Sequence, residues 1–233
     1  MLNTEVSNVQ EKFEEGVLNY HEVFLSIQGE STEAGLPCVF IRLYGCNVKC
    51  AYCDQPQTLA DKHRISIHHL IQKAMSFDCK NICITGGEPL IQSEAVYQLA
   101  LELVADYDCK VAIETNGCVP IPDLYYPKNL KFVMDVKCPS SGVHKRNVLE
   151  NLMFLRKWDE VKFVISDRED YDYMKHILAN YPTAAKILVS PVFTEISGNY
   201  ISPVSKDLVK WLLEDKLYSV RIQIQMHKVL EVQ

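Results

Sequence analysis

Cys46, Cys50 and Cys53 stand within eight residues, spaced C-x3-C-x2-C. Three thiolates on one short loop can hold three irons of a 4Fe–4S cluster, which usually takes four cysteines. The fourth iron is then left open, and an open coordination position is where a metal site does chemistry. The spacing predicts a 4Fe–4S cluster whose free iron binds a small molecule. A zinc knuckle would add a fourth Cys or His at short spacing; the next is His63, across a polar stretch. A disulfide fits poorly with nine cysteines, an odd number, and a polar N-terminus carrying Glu5, Glu11, Glu14 and Glu15. That cysteine usage predicts a reducing, cytoplasmic setting. The other six cysteines (Cys38, Cys79, Cys83, Cys109, Cys118 and Cys138) sit mostly in apolar runs and read as small core residues.

Such a loop needs a scaffold. Short β-rich runs alternate with amphipathic ones. Strands are expected at Val39–Tyr44, Asn81–Thr85, Val111–Glu114, Phe132–Val136, Val161–Ser166, Ile187–Ser190 and Tyr218–Gln225. Helices are expected at Ile67–Ser76, Ser93–Ala105 with Ser93 as N-cap, Lys145–Trp158, from Asp167 to about Tyr181, and Ser205–Glu214. This alternation predicts an α/β fold with a mostly parallel sheet. At 233 residues the chain falls short of a full eight-stranded barrel, which takes about 250. A partial, open βα barrel of about six parallel strands is the expectation. It forms a single domain over residues 1–233, with an N-terminal extension of about a dozen loosely ordered residues. A hydrophobic content of 48% supports a sizeable core, and no apolar run approaches the ~20 residues of a membrane span. A net charge of −6 leaves no basic footprint for nucleic acid.

In parallel α/β folds the site lies at the C-terminal ends of the strands. The polar motifs fall there. The cysteine loop follows the first strand, Gly86-Gly87-Glu88-Pro89 the second, Glu114-Thr115-Asn116-Gly117 the third and Asp135-Val136-Lys137-Cys138-Pro139-Ser140 the fourth. The glycine pair allows close backbone approach, and its N–H groups are candidates to meet a ligand. Glu114 ends an apolar strand and reads as paired with a basic group or holding a polar ligand. Lys137 and Lys162 lie in apolar strand contexts, where each is either a site residue or merely solvated. Ile27-Gln28-Gly29-Glu30 combines an amide, a glycine and a carboxylate, a set able to read the edge of a flat polar heterocycle; the alternative is an exposed turn. Arg42 precedes the cysteines and suits a substrate carboxylate. Gln223, Gln225, His227 and Lys228 form a polar C-terminal cluster, in which His227 is either a ligand contact or a surface residue.

Together these residues resemble the radical S-adenosylmethionine (SAM) superfamily: the cysteine spacing, the aromatic Tyr52 before the third cysteine, and Gly-Gly-Glu-Pro. Within it, Ser26-Ile27-Gln28-Gly29-Glu30, Phe40 through Asn47, Glu114 through Gly117, Asp135 through Gly142 and Gln225-Met226-His227-Lys228 are similar to the deazapurine-forming family of the queuosine pathway. The resemblance implies a 4Fe–4S cluster on Cys46, Cys50 and Cys53. It implies SAM beside Tyr52, Gly86, Gly87, Glu88, Glu114, Asn116, Lys137 and Ser140. It places a pterin substrate beside Ile27, Gln28, Gly29, Glu30, Arg42, Thr85, Gln225 and His227. The implied reaction is a C–N lyase step: 6-carboxy-5,6,7,8-tetrahydropterin gives 7-carboxy-7-deazaguanine and ammonia after a 5′-deoxyadenosyl radical takes the C6 hydrogen. A homodimer and an electron donor, such as a flavodoxin-like reductase system, are also implied. The family commonly binds magnesium through Ser or Thr two residues past the third cysteine. Gln55 stands there instead, so Mg2+ is carried only as a Gln55 site. Two other readings remain: an activase that installs a glycyl radical on a partner protein, and a non-catalytic iron–sulfur electron carrier.

Overall fold

A computed structural model describes residues 16–53, 55, 61–196 and 199–232. The expected N-terminal extension lies outside the described residues. Seven strands run parallel in successive register: β2 (Pro37–Leu43), β4 (Asn81–Gly86), β5 (Lys110–Thr115), β6 (Leu130–Asp135), β7 (Glu160–Ile165), β8 (Lys186–Pro191) and β11 (Val220–Ile222). The sheet stays open, as expected, and its seven parallel strands fall on the seven runs read as strands. Two further strands extend it beyond β2. They are β1 (Val17–Ile27) and β3 (His63–Ser66), both antiparallel, giving the order β11-β8-β7-β6-β5-β4-β2-β1-β3. Residues 20–27 pair with β2 through a register shift at Tyr20/Glu22, and residues 17–20 pair with β3. That irregularity blurs the period-2 signal by which a strand is read. A separate hairpin joins β9 (Thr194–Ile196) and β10 (Asn199–Ile201).

Helices cover the outer face of the sheet. In α1 (Ile67–Met75) the Ser66 hydroxyl accepts the His69 N–H, and Ile67, Leu70, Ile71 and Ala74 turn inward at helical spacing. A 3-10 turn at Pro89–Gln92 leads into α2 (Ser93–Ala105), so Gln92 rather than Ser93 occupies the N-cap position. Asp167 caps α4 (Arg168–Asn180) by accepting the Asp170 N–H at 3.0 Å. Then come α5 (Ser205–Glu214) and the short α6 (Met226–Val229). The apolar faces of α1, α2, α4 and α5 join the strands in one core.

The helix expected over Lys145–Trp158 is the clearest error. It reduces to a 3-10 turn at His144–Arg146 and to α3 (Asn151–Phe154). Two asparagines divert the chain. The Asn147 side chain bonds both the N–H and the carbonyl of Lys137. Asn151, which is buried, holds the Ile121 N–H and the Val119 carbonyl. Asn side chains compete with helix in this way, here across long sequence separations. The last strand is likewise short, β11 being three residues of the expected eight.

Candidate active site

The C-terminal ends of β2, β4, β5, β6 and β7 open into one cavity of about 490 Å3, within the usual small-molecule range. Cys46, Cys50, Tyr52, Cys53 and Gln55 line one side. Ile27, Gln28, Gly29, Glu30, Gln225 and His227 line another. Arg42, Thr85, Gly86, Gly87, Glu114, Asn116 and Lys137 lie on the strand ends between them. The structure thus gathers eighteen of the twenty residues singled out in the sequence around one space; Glu88 and Ser140 stand apart.

Glu88 is fully buried and turned away from the cavity. Its carboxylate accepts from the Leu90 N–H (2.9 Å), the Thr115 hydroxyl (2.7 Å) and the Asn116 N–H (2.6 Å). Burial raises its pKa, and these donors pull the other way. Glu88 therefore caps the 3-10 turn after β4 and fixes the end of β5. Asn116, so held, bonds Asn47 at 2.8 Å and approaches the Cys46 sulfur at 3.6 Å. Glu88→Gln sets an amide NH2 against N–H donors, a loss of about 1–3 kcal/mol. The expected result is a lower melting temperature together with faster loss of the cluster, read by the decay of its visible absorbance; unchanged values in both would contradict this support role. Ser140 is taken up by Asp170, which receives both its N–H (3.0 Å) and its hydroxyl (2.5 Å). It braces the turn whose Ser141 carbonyl accepts the Ala51 N–H of the cysteine loop at 3.0 Å.

The glycine pair serves the scaffold more than a ligand. The Gly87 N–H donates to the Leu43 carbonyl and the Glu88 N–H to the Gly45 carbonyl. A Cβ on Gly87 would overlap the Gly45 carbonyl, and one on Gly86 (φ +118°) would overlap the Leu43 backbone. The expected ligand contacts through these N–H groups are thus corrected for Gly87, whose N–H is spent on holding β4 against the root of the cysteine loop. Gly29 is small for a similar reason: the His227 ring occupies the space of its missing Cβ, and the Met226 N–H bonds its carbonyl at 2.9 Å. The C-terminal cluster docks on the Gln-Gly-Glu turn.

The charges converge on a residue that the sequence left undecided. Lys162 faces Glu30 in a short ion pair, Asp135 at 3.2 Å and, through space, Glu114. Asp135 also takes Lys137 at 2.5 Å. Burial opposes charge on Lys162, yet Asp135, Glu30 and Glu114 together hold its pKa well above the ordinary value. Burial likewise works against the Glu30 and Asp135 carboxylates. Lys162, with Gln225 at Glu30 and Lys137 at Asp135, outweighs it and holds both below their ordinary pKa. For Glu114 burial wins and the pKa is raised, although Lys162 offsets it. Glu114 accepts from the Thr85 hydroxyl (2.9 Å) and the Gln28 amide (3.3 Å); Glu30 accepts from the Gln225 amide (2.5 Å). Arg42 bonds Glu22 at 2.6 Å and lies over the Phe24 ring. Asp135, Lys162, Phe24, Phe40, Val133, Val164, Val192, Phe193 and Lys228 also line the cavity outside the predicted site set. For Asp135 and Lys162 the period-2 register was the available signal: they face each other directly in the β6–β7 ladder, on the face that carries Glu114.

The donor set fits a cluster. Burial raises the Cys46 and Cys50 thiols, which favours the neutral form until a metal takes the thiolate. Cys53 is exposed, and all three line the same wall. Among the described residues no three His, Cys, Asp or Glu side chains converge as a single-ion site. A cubane instead asks for one thiolate at each iron.

Comparisons with known proteins agree on the lineage. The radical SAM superfamily profile matches residues 40–140. A 7-carboxy-7-deazaguanine synthase of Methanospirillum hungatei is 37% identical, over 90% of this chain and 83% of the relative. That of Koribacter versatilis is 36% identical, over 90% and 95%. The fold matches the crystal structure of QueE from Escherichia coli with a TM-score of 0.69 at 21% identity, covering 91% of this chain and 95% of that one. Streptococcus suis SuiB bound to S-adenosylmethionine shares the fold more distantly, with a TM-score of 0.52 at 13% identity over 78% of this chain and 48% of that one. With more than a third of positions identical across nearly the full length of such relatives, this chain belongs to the 7-carboxy-7-deazaguanine synthase family of the radical SAM superfamily.

Proposed function

We propose that this chain converts 6-carboxy-5,6,7,8-tetrahydropterin to 7-carboxy-7-deazaguanine and ammonia. The ring contraction expels ammonia and nothing else, so it is redox-neutral overall. The observation that carries the reading is the cavity that joins the three-cysteine wall to a ring of carboxylates and amides centred on Lys162.

Cys46, Cys50 and Cys53 are assigned to the 4Fe–4S cluster, with Gly86, Gly87, Asn116, Tyr52 and Lys137 beside SAM. When bound, cluster and SAM supply the 5′-deoxyadenosyl radical that takes hydrogen from C6. The protein binds and orients. Glu114, expected beside SAM, is reassigned to the substrate because it is bonded to Gln28 and Thr85 of the substrate wall. It and Glu30 are carboxylate acceptors suited to the amino and ring N–H groups of a pterin, and Gln28 and Gln225 add amides that can serve its carbonyl. Arg42 takes the substrate carboxylate, one of its nitrogens being held by Glu22. Ile27, Gly29, His227 and Thr85 complete the substrate wall. Glu88 and Ser140 act from behind it. Gln55 offers one carbonyl oxygen, a poor fit to the octahedral oxygen cage of magnesium, so Mg2+ is given no role. A single-domain homodimer in the cytoplasm, fed by a flavodoxin-like reductase system, completes the reading. Among the described residues no helix is long and apolar enough to cross a membrane.

The test is anaerobic: a reconstituted, reduced enzyme with SAM and the carboxypterin, analysed by mass spectrometry. The wild type is expected to form 7-carboxy-7-deazaguanine and Cys50→Ala none above background. 5′-Deoxyadenosine without that product would sink the substrate assignment and leave an activase. Neither compound, with the cluster intact and reducible, would leave an electron carrier.

A further inference from the structure

Below the cavity lies a second ionic cluster that the proposed chemistry does not use. Glu160, fully buried at the start of β7, accepts the Thr32 hydroxyl (2.5 Å), the Thr32 N–H (3.1 Å) and the Lys131 ammonium (2.7 Å). Lys131 also reaches Glu33 at 3.2 Å. Burial opposes the charge on Lys131, and Glu160 outweighs it, raising its pKa. Thr32 is two residues past Glu30 in the loop, and Glu160 is two residues before Lys162 on the inner face of β7. The loop therefore runs antiparallel along β7 with two attachments in step, Glu30 on Lys162 and Thr32 on Glu160, about 7 Å apart along the strand. Between them Ser31 is buried and held at φ +65°, with its hydroxyl accepting the Glu33 N–H at 3.0 Å. A non-glycine residue in that conformation persists only where its surroundings over-determine it. Two attachments, one on each side of Ser31, supply that constraint.

We propose that the Glu160–Lys131 pair is a positioning device for substrate. By gripping Thr32 it sets how deep Gln28, Gly29 and Glu30 sit against Lys162 and Glu114, and hence where the pterin edge is read. The upper attachment can exchange partners when a ligand arrives; the lower one touches no cavity wall and keeps the loop in register. This inference rests on the pterin reading above.

Thr32→Val removes one bond to Glu160 while keeping shape and the ion pair. Binding is read by equilibrium fluorescence of the oxidised analogue 6-carboxypterin, with SAM binding, iron content and melting temperature measured alongside. The pterin Kd is expected to rise about tenfold, the worth of one hydrogen bond to a charged group. SAM affinity and iron content should stay unchanged. In turnover, KM should rise while kcat stays within about twofold. The double variant Lys131→Met/Glu160→Gln, neutral and of similar volume, should weaken pterin at least as much. An unchanged pterin Kd in folded, cluster-loaded variants would overturn the inference. So would parallel losses of pterin binding, SAM binding and melting temperature, which mark a merely structural pair. A wild type that binds no pterin would instead bring down the substrate reading itself.

Discussion

Lys162→Met is expected to destabilise the fold by about 3–5 kcal/mol, the usual consequence of removing one partner from a buried charge cluster. Against a total of about 5–15 kcal/mol, this is a large fraction. The single ammonium stands between Glu30, Asp135 and Glu114; Lys137 would still serve Asp135, but Glu30 would keep only the Gln225 amide. The pH dependence gives the cleaner signature. In the wild type Glu30 and Asp135 have lowered pKa values. Their contribution is full above the unfolded carboxylate range near pH 4, and it is lost as pH falls through the depressed folded values. Without Lys162, burial and the nearby Asp135 charge work against the Glu30 carboxylate with only the Gln225 amide opposing them, and its pKa rises above the unfolded value. The folded variant then binds more protons than the unfolded chain, and its stability rises as pH drops from about 7 toward 5. Urea melts across that window should show a flat contribution from this residue in the wild type and one that grows toward lower pH in the variant. Parallel pH profiles would mean that Lys162 does not govern these carboxylates.

Gly87→Ala is expected to lower SAM cleavage by about a hundredfold or more, although residue 87 carries no functional group. The added Cβ meets the Gly45 carbonyl, with the Cys46 nitrogen just beyond. Backbone cannot step aside as a flexible side chain would. The Gly87–Leu43 and Glu88–Gly45 hydrogen bonds must open, and the first cysteine shifts. A displacement near 1 Å at a reacting site is enough for about a hundredfold loss. Gly142→Ala is the control. Gly142 has positive φ (+74°), but its Cβ direction is open, so only the local cost of about 1–2 kcal/mol applies and SAM cleavage should survive. Equal activity in the two variants would contradict the steric account.

The parallel strands and the face that carries the chemistry were legible because each rests on local pattern: apolar runs of strand length, and polar motifs at their ends. The cysteine spacing and the Ile-Gln-Gly-Glu turn stood out for the same reason. What escaped depends on partners far away in the chain. Glu88 sits in the motif like a ligand residue, yet Thr115 and Asn116, near the end of β5, draw its carboxylate inward. Lys162 looked like any strand lysine until Glu30, 132 positions earlier, came to meet it. Glu160 and Thr32, 128 positions apart, gave no local sign at all. The helix expected over Lys145–Trp158 failed because Asn147 and Asn151 are committed to the loops of β5 and β6. Helical pattern shows apolar spacing and is silent on such bonds.

The most direct measurement is anaerobic turnover of 6-carboxy-5,6,7,8-tetrahydropterin carrying deuterium at C6. If the cavity brings the cluster wall and the pterin reader together as described, 7-carboxy-7-deazaguanine forms, the redox-neutral reaction returns the radical and re-forms SAM, and deuterium enters the 5′ carbon of recovered SAM. Product with unlabelled SAM, or 5′-deoxyadenosine with no product, would contradict that account.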